Sequence, residues 1–356
     1  MCLSTIAKND KKGGLIMAVT IKQIADLCGV SRGTVDRVVN QRGNVKPETE
    51  KAILKVMEEL NYQPNLAGKA LAIRKKSLNI GVLLASQGVA FFDEVIEGIK
   101  KAEEEIKDYG IHVHMKLQRG YRIDQQLKAL EELEQTCNLI IFQPINHSTI
   151  ADKINDLHEK GIPVITLNTD IEHSNRICYI GSNYFEGGAT ACGLLGLLSG
   201  GTATVGILTG SVQVWGHNQR VLGFKSILDE KYPNIVVYEM AETNDDVMQA
   251  RQMATLMIRR HPDINYLYCV AGGAAGACQA VEDTGNVGEI HVICYDKTDE
   301  IVEMMKKGIV MATIEQEAFE QGYQAVKMAF QYLITGTEPK QDRYIVKNEI
   351  RILENL

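Results

Sequence analysis

The sequence predicts a small all-α headpiece with a helix-turn-helix, followed by a two-lobed α/β core with parallel sheets. Residues 1–77 have apolar positions at helical spacing, whereas from Leu78 onward apolar strand-like runs alternate with amphipathic helices. The length of 356 residues exceeds the roughly 150 residues usual for one domain. Residues 1–77 also carry 14 of the 38 Lys and Arg but only 7 of the 45 Asp and Glu. A basic module joined to an acidic one indicates that the first part binds a polyanion.

Residues 20–40 have the pattern of two helices joined by a tight turn. Thr20 and Gln23 have the spacing of a capping box, which predicts that a helix begins there. Gly29 supplies the permissive backbone of a turn, and Ser31 is a good N-cap for the second helix. The apolar sides of the two helices are predicted to consist of Ile24, Ala25, Leu27, Val35, Val38 and Val39.

A third helix is predicted to close a small core with the first two. Pro47 suits its first turn, and Tyr62 and Pro64 are expected to end it. Its apolar positions are Ala52, Ile53, Val56, Met57 and Leu60. Residues 65–77 read as a basic linker.

With the valines of the second helix turned inward, its small and basic residues face outward at its N-terminus. Such a surface suits base edges and phosphates in a major groove. The residues are Arg32, Gly33, Thr34 and Arg37. For an isolated motif, a solvated helix face is the alternative interpretation.

The stretch TIKQIADLCGVSRGTVDRVVN, followed by NYQPN and AGKAL, resembles the headpiece of the LacI-type (lactose/galactose repressor) family of bacterial transcription factors. The resemblance implies that the helix opened by Ser31 enters the major groove. It also implies that residues 65–72 form a hinge helix on operator DNA, with Leu71 wedged into the minor groove. The implied DNA contacts are Thr20, Ser31, Arg32, Gly33, Thr34, Arg37, Asn40, Asn65, Lys69 and Leu71.

The chain departs from the family pattern at two places. Asp36 stands where a small Ser is usual, and its charge would repel phosphate unless it is paired. Gly68 and Lys69 replace the commoner Ala and Arg of the hinge, and Gly in a helix costs about 1 kcal/mol relative to Ala. These departures leave the operator sequence and the hinge stability open.

Four segments are expected. Residues 1–16 form a disordered tail, with Met17 as a candidate start, and residues 17–64 form the headpiece. Residues 65–77 form the hinge and linker, and residues 78–356 form the effector-binding and dimerisation core.

In the core, the predicted strands include residues 80–84, 139–142, 163–167, 203–208, 266–270 and 291–295. About a dozen strands in two batches predict two similar lobes of parallel sheet, covered by helices on both faces. Ligands of such sheets bind beyond the carboxyl ends of the strands, so the site is expected in the cleft between the lobes.

The core is similar to periplasmic sugar-binding proteins of the ribose-binding type. The matching strand ends carry aromatic faces for the C–H surface of a sugar, and carboxylates, amides and an Arg for its hydroxyls. The implied ligand contacts are Phe91, Phe92, Asn168, Asp170, Arg220, Asp296 and Gln316.

Each of these residues has a structural alternative. Phe92 suits a core, Asp170 and Asp296 could cap the following helices, and Arg220 could form a structural ion pair. The chain departs from its relatives at residues 271–273, where Ala-Gly-Gly replaces a polar pair. Trp215 is expected in a loop near the cleft.

Other classes of function are disfavoured by what the sequence lacks. The uncharged run at 187–219 contains many glycines and reads as a buried helix and a strand, not a membrane span. Eight scattered cysteines without a CxxC pair and the absence of a secretory signal favour a cytoplasmic protein. No catalytic motif is visible, so neither an enzyme nor a cofactor is predicted, and His112 and His114 lack a third metal ligand.

The sequence therefore predicts a ligand-responsive, sequence-specific DNA-binding transcriptional regulator, most simply a repressor. Its predicted partners are operator DNA, a sugar or sugar-like effector, and a second copy of the chain in a homodimer or a higher oligomer. A solute-binding or sensor protein without a DNA role is the first alternative, and an α/β enzyme acting on sugars is the second.

Overall fold

The computed structural model describes residues 19–39, 43–60, 62, 77–85 and 88–356. The chain divides into two compact units, one holding the three helices of the headpiece and the other holding two sheets. The predicted tail and most of the hinge lie outside the described residues, as do Asn40, Asn65, Lys69 and Leu71.

The first helix of the headpiece, α1 (Ile21–Cys28), begins at the predicted capping box. The Thr20 N–H donates to Oε1 of Gln23 at 2.8 Å, and Oγ1 of Thr20 accepts from the Gln23 N–H at 3.3 Å. Gly29 ends the helix with a φ of 64°, a left-handed conformation that favours glycine. The local sequence thus determines both ends of α1.

The second and third helices are α2 (Arg32–Val39) and α3 (Pro47–Glu59). The Ser31 hydroxyl accepts the Thr34 N–H at 3.1 Å, which satisfies one free donor of the first turn of α2. The fully buried residues of the three-helix core are Ile24, Ala25, Val35, Val38 and Ile53. The valine seam of α2 therefore faces inward, as the sequence predicted.

Two residues expected in this core are exposed. Leu27 is 50% exposed, because at 100° per residue it lies beyond the face that Ile24 and Ala25 share. Ala52 is exposed for the same geometric reason, since the inward face of α3 is centred on Ile53. The prediction that Leu27 and Ala52 lie in the core was wrong, because it rested on their apolar character alone.

The first lobe of the core contains a six-stranded parallel sheet. Its strands are β1 (Leu78–Leu84), β2 (Ile111–Leu117), β3 (Leu139–Phe142), β4 (Val164–Leu167), β5 (Cys178–Ser182) and β11 (Arg343–Val346), in the order β11-β5-β4-β3-β1-β2. Its helices are α4 (Phe91–Ile106), α5 (Ile123–Glu134), α6 (Ser148–Glu159) and α12 (Ala318–Thr335), with a 3-10 turn at Lys107–Tyr109. The central strands β3 and β4 are buried throughout, which explains their continuous apolar runs.

The second lobe repeats this arrangement. Its strands are β6 (Thr202–Thr209), β7 (Asn234–Glu242), β8 (Tyr266–Cys269), β9 (His291–Tyr295), β10 (Val310–Glu315) and β12 (Glu349–Arg351), in the order β12-β10-β9-β8-β6-β7. Its helices are α7 (Tyr184–Leu198), α8 (Trp215–Lys231), α9 (Val247–Arg260), α10 (Ala274–Asp283) and α11 (Asp299–Lys306), and a 3-10 turn follows at Leu353–Asn355. Only the pairing of β10 with β12 is antiparallel among the described pairs.

The chain passes between the lobes three times, after β5, after β10 and after β11. The predicted fold class is confirmed, and the uncharged run at 187–219 forms α7 and β6. Within the described part of the chain, no helix combines the length and apolar character that a bilayer crossing requires.

Helices α7 and α8 approach each other through glycine. A Cβ atom added at Gly188 would overlap the backbone carbonyl of Arg220, whereas one added at Gly193 on the same helix would meet no atom within 4 Å. The contact fixes the backbone that carries Arg220.

Gly188→Ala is therefore expected to lower the free energy of unfolding of the core by about 1–3 kcal/mol, because the helices must separate. Gly193→Ala is the matched control and should be neutral or stabilising by up to about 1 kcal/mol. Calorimetry of both variants tests this. Equal stability of the two variants would show that the helices separate without cost.

Candidate functional site

The exposed end of α2 is the candidate DNA-binding surface. Arg32, Gly33 and Arg37 are exposed, while Thr34 is half-buried and shares a 2.9 Å hydrogen bond with the Ser31 hydroxyl. Thr20 is also exposed, with its hydroxyl engaged in the capping box. Two arginines thus project from the first two turns of a helix whose opposite side is anchored by valines.

Asp36 lies near Tyr62, close to the end of α3. Burial, and next the negative charge of Asp36, raise the pKa of Tyr62.

Side chains of both lobes surround one cavity in the cleft. The predicted residues that line it are Phe91, Phe92, Asn168, Arg220, Asp296 and Gln316. Phe91 and Phe92 open α4 with their rings edge to face, 5.1 Å apart. Phe92 is buried, as the core interpretation required, and it also lines the cavity.

Arg220 is 3% exposed and only partly hydrogen-bonded. Its Nη1 donates to the carbonyl of Val270 at 2.6 Å, whereas Nε and Nη2 have no partner within the described structure. The guanidinium carbon lies 3.3 Å from the centroid of the Tyr295 ring and 4.7 Å from that of Tyr184. Buried donors without partners are uncommon and costly, which makes Arg220 a candidate for a ligand contact. The predicted alternative of an ion pair is not found among the described residues.

Asp296 and Gln316 form a hydrogen-bonded pair in the cavity wall. Gln316 Nε2 donates to Oδ1 of Asp296 at 2.8 Å, and Gln316 Oε1 accepts from the Ser182 hydroxyl at 2.9 Å. Burial raises the pKa of Asp296 to about 6, against the opposing effect of Arg220. Asp296 does not cap α11, because Thr298 does. Asp296 thus places a carboxylate in the cavity wall.

Asp170 does not line this cavity. Its carboxylate is held by Arg176, with Nε and Nη2 at 2.6 and 2.7 Å, and accepts from the Thr166 hydroxyl at 2.9 Å. The first strand-end position, Asn168, lines the cavity instead, two residues earlier. The structure places Asp170 outside this cavity, with its carboxylate in a buried ion pair, and no helix follows it for Asp170 to cap. Its ligand role stays a prediction.

Two segments of the chain match known families. Residues 20–65 match the bacterial regulatory proteins of the lacI family, and residues 80–338 match the periplasmic binding protein domain. The chain belongs to the family of the periplasmic binding protein domain, and its N-terminal segment matches the lacI family. The second match covers most of the core that holds the cleft.

Three proteins show how far the similarity of this chain to known proteins extends. Catabolite control protein A of Priestia megaterium is 31% identical over 216 residues, which are 60% of this chain and 62% of that protein. The ribose operon repressor of Bacillus subtilis (strain 168) is 26% identical over 320 residues, 87% of this chain and 90% of that protein. The structure of a glucose-galactose binding protein from Geobacillus stearothermophilus superposes with a TM-score of 0.73 at 26% identity, covering 79% of this chain and 99% of that one.

The core also brings to the cleft residues that the sequence did not predict. They are Val89, Tyr121, Gln143, Tyr184, His217, Asp245, Ala271 and Gly272. Asp245 follows β7, a strand that was not among those predicted, so the polar residues at its end were overlooked. Trp215, predicted in a loop, is instead the first residue of α8.

Three of the cavity residues have positive φ without being glycine. The φ values are 66° at Asn168, 56° at Asp245 and 66° at Asp296. Such conformations cost of order 1–3 kcal/mol each and cluster at functional sites. Here they belong to polar side chains of both lobes that line one cavity.

Proposed function

We propose that this lacI-family protein is a repressor that binds operator DNA and responds to a sugar or sugar-like effector in its cleft. The observation that carries the proposal is that two nitrogens of Arg220, Nε and Nη2, have no partner between the lobes within the described structure, in a chain that also exposes two arginines on a helix-turn-helix. The solute-binding alternative is not favoured, because residues 20–65 match the lacI regulatory family.

The proposed effector lies between the two phenylalanine rings, Asn168, Arg220, Asp296 and Gln316. Aromatic rings suit the C–H face of a sugar, and the paired amide, carboxylate and guanidinium suit its hydroxyls. A sugar with more contacts in the closed arrangement of the lobes would shift the equilibrium between DNA-binding and free states. The relatives named for ribose and for glucose and galactose support the sugar class.

The proposed DNA contacts are those predicted from the sequence, including Asn40, Asn65, Lys69 and Leu71 beyond the described residues. The segment boundaries at 17, 65 and 78 also stay predictions. We place the protein in the cytoplasm, where operator DNA is found.

A homodimer is part of the proposal. One face of the edge strand β7 exposes Val236, Tyr238 and Met240, which are 46%, 42% and 49% exposed. Exposed apolar residues in a row are typical of a protein interface. A two-fold pair of headpieces would double the DNA site.

Arg37→Ala is expected to weaken binding to DNA from upstream of the protein's own gene by about tenfold to a hundredfold, because a charged contact at the groove is lost. Fluorescence anisotropy at several salt concentrations measures this, with scrambled DNA as reference. Lys55→Ala on α3 removes the same charge from the headpiece and should change the affinity little. No salt-dependent, sequence-selective binding by the wild type, with or without sugars, would refute the DNA-binding proposal.

A further inference from the structure

The loop at 271–273 carries no polar side chain, yet a carboxylate lies against it. Asp245, from the segment between β7 and α9, places its Oδ1 3.0 Å from the Gly272 N–H, which donates to it. A Cβ added at Gly272 would lie 3.0 Å from the Cβ of Asp245, tighter than nearly all real contacts. The glycine therefore leaves room for Asp245, which supplies the polar group that the loop lacks.

Asp245 is held in place from both lobes. The hydroxyl of Tyr121, in the first lobe, donates to its Oδ2, while Gly272 belongs to the second lobe. Asn244 and Asp245 have φ values of 52° and 56°, and the Asp245 side chain is 7% exposed. A buried carboxylate in a strained backbone with donors on each side is preorganised.

His217 gives Asp245 a complementary partner. The Nδ1 atom of His217 accepts the Ser211 N–H at 3.0 Å, so in the neutral ring the proton is on Nε2. Burial lowers the pKa of His217, with a smaller opposing effect of Asp245, which favours that neutral ring. Nε2 lies 3.9 Å from Oδ1 of Asp245, too far for a direct hydrogen bond. A ligand hydroxyl could accept from Nε2 and donate to the carboxylate.

The charges around the cavity disfavour an anion. The charge of Arg220 is opposed by Asp245 and Asp296, and burial lowers the pKa of His217, which disfavours its cationic form. A neighbouring pocket of about 300 Å³, which shares Asp245 and Asp296, also contains Glu300 and no basic residue among those that line it. A carboxylate or phosphate at this end of the cleft would lie beside the negative charge of Asp245. Arg119, which lines an adjoining pocket together with Asp245, lies 3.9 Å from Asp246, and that carboxylate already opposes its charge.

We propose that Asp245 is a specificity-determining residue of the effector site, which accepts a hydroxyl between itself and His217 and rejects ligands that carry a carboxylate or phosphate there. The inference rests on the proposed sugar response and narrows it to uncharged sugars and polyols.

Thermal-shift and calorimetric titrations with matched compounds test the inference. The probes are D-glucose, D-galactose and D-ribose, compared with D-glucuronate, D-galacturonate, D-glucose 6-phosphate and D-ribose 5-phosphate, together with the polyols D-sorbitol and ribitol. We expect at least one neutral probe to bind, and its anionic counterpart to bind at least a hundredfold more weakly.

Asp245→Asn should weaken the binding of the neutral ligand about tenfold. It should also lower the ratio of neutral to anionic affinity by at least tenfold. The ratio is measured on one protein, so a general loss of stability does not affect it. Asp246→Asn is the matched control: its carboxylate caps α9, a role that Asn retains, and it does not line the central cavity. That variant should keep the wild-type ratio.

The outcomes separate the two proposals. Stronger wild-type binding of an anionic probe than of its neutral parent, or an unchanged ratio in Asp245→Asn, would overturn the role of Asp245 and leave the sugar response intact. No binding of any probe by the wild-type protein would overturn the sugar response itself, and this inference with it.

Discussion

Arg220→Met is expected to abolish effector binding while leaving the ligand-free core at least as stable as the wild type. In the free protein, two donors of a buried guanidinium lack partners, and each unsatisfied buried group costs about 1–3 kcal/mol. The rings of Tyr295 and Tyr184 offset only part of this cost. Methionine fills a similar volume without polar atoms. Because hydrogen bonds to a charged group contribute about 1.5–3 kcal/mol each, the affinity should fall at least a hundredfold.

Arg176→Met provides the contrast for this prediction. Arg176 is also nearly buried, but it is paired with Asp170 through two hydrogen bonds. Its removal would leave the buried Asp170 carboxylate with the Thr166 hydroxyl and the more distant Arg343, 3.9 Å away. Breaking a buried ion pair in this way costs up to about 3–5 kcal/mol. In differential scanning calorimetry without ligand, the melting temperature of Arg220→Met should therefore be well above that of Arg176→Met. The reverse ranking would mean that Arg220 is a structural residue, and titration calorimetry would then show retained binding.

The contrast between these two arginines explains what the sequence could predict about the site. Asn168, Asp296 and Gln316 follow strands whose continuous apolar runs are visible in the sequence, so their meeting at one sheet edge follows from parallel topology. Asp170 has the same sequence signal, and only the structure shows that Arg176 takes its carboxylate. A position near a strand end predicts proximity to the cleft, but it does not predict which partner a side chain finds.

Asp245 and its partners were not predicted, for a related reason. Strand β7 is an edge strand in which Val236, Tyr238 and Met240 point to solvent, so apolar residues occur on both of its faces. Its sequence, NIVVYEMAE, therefore lacks the alternation that marks a half-buried strand. Without the strand, neither Asp245 at its end nor the pairing with His217 and Tyr121 could be predicted. The tertiary contacts of the helical headpiece were easier to predict from the sequence, because all of its elements are adjacent in sequence.

Asp296→Asn is expected to stabilise the ligand-free core above pH 6 and to remove a pH dependence of effector binding. Burial raises the pKa of Asp296 from 3.8 to about 6, so the folded protein holds this proton more tightly than the unfolded chain. The contribution of Asp296 to stability is therefore full below pH 3.8 and is lost as the pH rises through about 6. The loss amounts to at most roughly 3 kcal/mol, less the screening at a partly exposed side chain.

Asparagine keeps an acceptor for the Gln316 amide and carries no charge, so the melting temperature of Asp296→Asn should exceed that of the wild type at pH 7–8 and converge with it near pH 4. Effector binding should have the opposite pH dependence from stability and be stronger at high pH, because a ligand hydroxyl donates best to the ionised carboxylate. Wild-type affinity should thus fall as the pH drops below 6, with proton release on binding near pH 5.5. A wild-type affinity independent of pH from 5 to 8 would mean that the effector does not contact Asp296. In that case the positive φ of Asp296 would serve only to place its carboxylate in the hydrogen bond with Gln316.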